Sequence, residues 1–198
     1  MKLASRPALA AASMLLCLSA TATACSEEPE GDSSSQPPLP SKAPPTFEVQ
    51  TRTTIGRVVG RLPHKDRKKL VAAVTPVVQR WFNAAYVGGD YPRRDFGDAF
   101  PGFTAGARAE ARRDLGLMSN QGIGKRIEGI TPKASRVRLD VLAARQHPAA
   151  VTARFRLAFR TEGDLERKVQ VGGRLLLTRS DGGWRIFGYH VAKSGAKV

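Results

Sequence analysis

Apolar residues change their spacing midway along this 198-residue chain, and the change separates a helical part from an extended one. Leu70, Val71, Val74, Val77, Val78, Trp81, Phe82, Ala85 and Tyr86 recur at intervals of three and four, which predicts a helix starting near Asp66. So wide a stripe requires heavy burial along one side. Pro76 lacks the amide that a helix interior uses, so a kink or broken turn is expected there. Gly88-Gly89 should end the helix. A short helical segment is expected over 93–100, stopped by Pro101-Gly102, and Thr104 is placed to N-cap a third helix over 105–117. Residues 51–64 read as a loose approach to the first helix, with a few β-branched positions.

Beyond Ser135 the period drops to two. Arg136-Val137-Arg138-Leu139-Asp140-Val141 alternates, as does Ala153-Arg154-Phe155-Arg156-Leu157-Ala158-Phe159-Arg160. Alternation puts the apolar set on one face and the charges on the other, as in half-buried antiparallel strands. A further strand is expected over 168–178. Ser180-Asp181-Gly182-Gly183 is a hairpin turn signal, and a last strand follows over 184–192. Helices followed by four or five hairpin-connected strands make an α+β domain. Arg136, Arg138, Arg154, Arg156, Arg160 and Arg174 would share one face of that sheet. This is either a solvated outer face or a docking face for an anionic surface or acidic partner, since the planar guanidinium fork suits phosphate and carboxylate.

The first 50 residues follow another logic. Lys2 and Arg6 precede an uncharged, small-residue and apolar run up to Ala24, the pattern of a secretory signal peptide over 1–24. The run is too short and too diluted with Ser and Thr for a permanent span of about 20 apolar residues. Ala22-Thr23-Ala24-Cys25 resembles the bacterial lipobox, with Ala22 where leucine is usual, and implies lipidation of Cys25. Residues 25–50 are rich in Ser, Glu and Pro, have little to bury, and read as a disordered tether. Where extended, such a segment spans about 3.1 Å per residue.

Charge sharpens the division. Up to residue 50 there are three basic and five acidic groups; from Thr51 onward there are 29 and 12, a net of +17. The domain's field favours anionic partners such as phospholipid headgroups, wall polymers or acidic proteins, although coding bias toward arginine gives the same composition. Export argues against nucleic acid. The other cysteine, Cys17, falls within the signal peptide, so the domain has neither disulfides nor thiolate metal sites. His64, His147 and His190 stand far apart in unrelated contexts, and no metal-ligand spacing or cofactor motif is present.

Helices followed by a sheet whose closing strand reads Gly183-Trp184-Arg185-Ile186-Phe187-Gly188-Tyr189 make residues 65–193 resemble the nuclear transport factor 2-like superfamily, with 194–198 as a tail. That fold is an α+β cone, helices packed on a curved antiparallel sheet. With its lipobox, the chain is similar to actinobacterial lipoproteins and to the Mce-associated membrane proteins. The resemblance implies a pocket between the long helix and the concave sheet face, lined by Trp81, Tyr86, Tyr189 and His190, with Asp140 a further polar candidate. Isomerase members of that fold pair a carboxylate base with tyrosine or acid donors, because an enolate needs a proton acceptor and an oxyanion partner. That pairing does not map onto this chain residue by residue. Asp140 follows two arginines and reads as their surface ion-pair partner, while Trp81 and Tyr86 also fit core packing.

The expectation is an extracytoplasmic lipoprotein on the outer face of the cytoplasmic membrane, held there by its lipid. Its role would be non-catalytic binding toward a protein, wall polymer or lipid. The alternatives are a small-molecule enzyme or lipid-cargo binder using the cone pocket, and an assembly subunit acting through its sheet.

Overall fold

The computed structural model describes residues 50–180 and 182–197. The expected signal peptide, Cys25 and nearly all of the expected tether lie outside these residues. In chain order the described elements are β1 (Arg52–Val59), α1 (His64–Phe82), a π-helical turn (Asn83–Val87), α2 (Ala105–Arg113), α3 (Leu115–Met118) and a 3-10 turn (Gly124–Arg126). Four long strands follow: β2 (Gly129–Ala144), β3 (His147–Glu162), β4 (Arg167–Ser180) and β5 (Gly183–Lys197). The architecture is α+β, with one mixed sheet in the order β1-β2-β3-β4-β5.

The alternation in the sequence sets the two faces of that sheet. Val137, Leu139 and Val141 of β2, Val151, Ala153, Phe155, Leu157 and Phe159 of β3, and Val169, Val171, Leu175 and Leu177 of β4 are all buried. The residues between them point the other way. The stripe of α1 covers the buried face, with Leu70, Val74, Val77, Val78, Trp81 and Phe82 in the core. Trp81 is the hub of that contact. Its ring centroid lies 5.3 Å from Phe82 and Phe155, 5.5 Å from Tyr86 and 5.9 Å from Phe103. Aromatic pairs at such separations gain about 0.5–1.5 kcal/mol beyond the area they bury.

The structure departs from the sequence reading at several elements. Residues 52–59 are a strand, not a loose approach, and β1 pairs parallel with β2, so the sheet is mixed rather than purely antiparallel. The parallel pairing demands a crossover, which the helices supply. Residues 93–100 form no helix. There the Arg93 side chain donates to the carbonyls of Ala84 and Asp95, and Asp95 accepts from the Gly97 amide, which favours turns over helix. The helix expected over 105–117 breaks at Asp114 (φ −94°, ψ 24°) into α2 and α3, although Thr104 does cap its start by accepting from the Ala107 amide. Helix α1 runs through Pro76 unbroken. Pro76 and Ala72, whose carbonyl loses its amide partner, are both exposed, so water can satisfy that oxygen. Finally, β5 continues past 192 to Lys197, paired along its length with β4.

Candidate functional site

The outer sheet face concentrates charge in two cross-strand rows. Arg52, Arg136 and Arg156 are register partners in one row; Arg138, Arg154, Arg174 and His190 form the next. Rows lie about 7 Å apart along the strands, and neighbouring strands about 4.8 Å apart. All seven residues are exposed. A depression of about 290 Å³ opens among Arg52, Thr54, Arg136, Arg138, Arg154 and Arg156. Like charges placed directly opposite are destabilising, so this face costs stability to maintain.

Asp140 is the carboxylate paired with these rows. Its Oδ2 accepts from Arg154 Nε at 2.7 Å, its Oδ1 lies 3.7 Å from Arg138 Nε, and the Arg57 amide donates to Oδ1 at 2.9 Å. Burial pushes the carboxyl up, but the hydrogen bonds from Arg154 and Arg57 and the two guanidinium charges outweigh it and hold it below the usual carboxylate range. Arg52, Arg136, Arg156 and Arg174 have no carboxylate partner among the described residues. Arg160 stands apart from the two rows, opposite Lys168, with Nη2 2.9 Å from Glu166 Oε2.

The face does not end in polar residues. Val59 and Leu142 are register partners beyond the arginine rows and are 48% and 51% exposed. Phe187, the extra residue of a bulge in β5, is 46% exposed.

The residues expected to line a cone pocket do not share one space. Trp81 and Tyr86 are fully buried and packed ring against ring. The Tyr86 hydroxyl donates to the Leu117 carbonyl at 2.8 Å, and burial raises its pKa well above the usual phenol value. Tyr189 points inward, where its hydroxyl donates to Asp114 Oδ2 at 2.7 Å; burial and that carboxylate raise its pKa. His190 is exposed on the opposite face, beside Arg174. The space between α1 and the sheet is thus occupied by aromatic rings.

Sequence reasoning did not include Arg52 and Thr54, because β1 went unread, nor Lys193 and Arg167, which face inward at the far end of β4 and β5. Among the described residues no group of three or more His, Cys, Asp or Glu side chains is placed to hold a metal ion, and no helix is long and apolar enough to cross a membrane. Cys25 lies outside the described residues. Comparison with protein-family models, with curated proteins and with solved structures finds no match to this chain.

Proposed function

We propose that this protein is a non-catalytic lipoprotein module, anchored through Cys25 on the outer face of the cytoplasmic membrane, that docks its arginine-bearing sheet face on anionic phospholipid. The observation that carries the reading is the pair of arginine rows, joined on the same face by the exposed Val59 and Leu142. Cationic residues reach headgroup phosphates while apolar neighbours enter the acyl boundary, a combination that a soluble polyanion does not call for. The nuclear transport factor 2-like cone is the fold we assign to the domain. Long strands interrupted by bulges at Pro132/Ala134, Leu142/Ala143 and Leu176/Leu177 support it, because bulges bend the strands that carry them. The aromatic filling between α1 and the sheet supports a binding or docking role over pocket chemistry.

The test is sedimentation of the full-length Cys25→Ala chain, which carries no acyl anchor, with phosphatidylglycerol vesicles, with and without Arg136→Gln combined with Arg156→Gln. Each cation near an anionic surface contributes about 1 kcal/mol, so the double variant should lose about 2 kcal/mol, roughly thirtyfold in partitioning. The Cys25→Ala chain with its arginines intact should ignore neutral phosphatidylcholine vesicles. Unchanged partitioning of the variant, or equal partitioning into neutral vesicles, would show that the arginine rows are only a solvated surface.

A further inference from the structure

A second basic site lies on the other face of the sheet, independent of the arginine rows. Here, at the edge of the core, the inward positions toward the ends of β4 and β5 are Arg167, Val169, Lys193 and Gly195. The segment around α3 and the 3-10 turn adds Gly116, Leu117 and Ile123, closing a cleft of about 280 Å³. That volume stands at the lower end of small-ligand pockets, which run roughly 300–1,000 Å³.

The chemistry of its walls is one-sided. Two cations line the cleft and no acidic side chain does. Lys193 Nζ donates to the Ser119 carbonyl at 2.6 Å and the Gly116 carbonyl at 3.1 Å and lies 5.6 Å from the Tyr86 ring centroid. These contacts fix the ammonium in place without neutralising it. Arg167 Nε is buried and has no acceptor among the described residues. A buried donor left unsatisfied is costly. Leu117, Ile123 and Val169 supply an apolar wall beside these two groups.

We propose that this cleft binds a small carboxylate with an apolar body, Arg167 taking the carboxylate and Leu117, Ile123 and Val169 the hydrocarbon. The guanidinium fork matches a carboxylate in bidentate geometry. Lys193 has one proton beyond the two it spends on carbonyls, so it reaches the anion without releasing the loop it holds. Gly195 keeps the cleft open. A Cβ there would meet Arg167 Cδ at 3.8 Å and Val169 Cγ2 at 3.9 Å, ordinary contact distances, so a side chain at 195 enters the cleft without a backbone clash.

The experiment is calorimetric titration of the full-length chain with octanoate, beside octyl phosphate and octylammonium. Octanoate should bind saturably at one site, and octylammonium should not bind. Arg167→Gln should weaken octanoate about tenfold or more, the loss of a charge-assisted pair. Gly195→Val keeps both cations and suits a strand, and it should abolish binding by filling the cleft while thermal unfolding stays cooperative. Absence of saturable binding, a preference for octyl phosphate, or undiminished binding by Gly195→Val would each overturn the proposal.

Discussion

Lys193 sits on the inner side of the sheet because of one residue. Phe187 is extra in β5, and the bulge shifts the phase, so that Tyr189, Val191 and Lys193 face inward after Trp184 and Ile186. Burial then draws the ammonium down from the ordinary 10.5 to about 8. A base whose pKa falls on folding binds its proton less well in the folded chain. Between about 8 and 10.5 the unfolded chain therefore holds more protons, and stability from this group rises with pH across that window. The phenols of Tyr86, Tyr91 and Tyr189, all raised by burial, act in the opposite sense above their ordinary value near 10. Lys193→Met should flatten the rise between pH 8 and 10 in a series of melting temperatures. The variant also loses the caps on Gly116 and Ser119, so its whole curve can shift. The slope is the readout, and parallel curves would assign the titration to another group.

At the scale of elements, β2 and β3 were legible because their apolar positions alternate without interruption over the core. From that pattern the shared face of Arg136, Arg138, Arg154 and Arg156 follows directly. Strand β1 was not legible. It is an edge strand whose inward residues Thr53 and Ile55 are only half-buried, with a bulge near Gly56, so its periodicity is weak. The turns of 93–100 depend on side chain to backbone bonds that spacing does not encode, and the break between α2 and α3 falls at Asp114, whose carboxylate is held by the Tyr189 hydroxyl of a distant strand. Beyond the missed β1, the phase shift at Phe187 hid the inward end of β5 and with it the Lys193 cleft. In β4 the pair Gly172-Gly173 shows what a strand can require. A Cβ on Gly173 (φ +151°) would fall 2.1 Å from the His190 carbonyl oxygen, whereas one on Gly172 would meet only the Phe155 oxygen at 3.5 Å. Gly173→Ala forces backbone to move and should cost at least about 2 kcal/mol. Gly172→Ala should be neutral or stabilising by up to about 1 kcal/mol, through the entropy it removes from the unfolded chain. Urea denaturation of the two variants checks this, and equal midpoints would mean that β5 yields at His190 without cost.

For the whole molecule, the proposed anchor and the proposed docking face are two membrane signals of different physical kind, and salt separates them. Attraction between exposed arginines and lipid phosphates is screened as the Debye length shrinks from about 8 Å at physiological ionic strength to about 3 Å at 1 M. Acyl chains are held by the hydrophobic effect, which salt does not weaken. With a net charge of +17 from Thr51 onward, a chain lacking the anchor should still be drawn to an anionic membrane. Cys25→Ala, expressed in an actinobacterial host and fractionated, should therefore stay with membranes at low salt and leave them at 1 M NaCl. Wild type should remain at both and enter detergent with the intact mass of a diacylglyceryl adduct. Adding Arg136→Gln and Arg156→Gln to Cys25→Ala should move much of the protein into the soluble fraction at low salt as well. Release of Cys25→Ala at low salt would leave the anchor as the sole membrane signal and return the sheet face to solvent. Wild type freed by salt alone would remove the anchor and leave the arginine rows to hold the protein at the membrane.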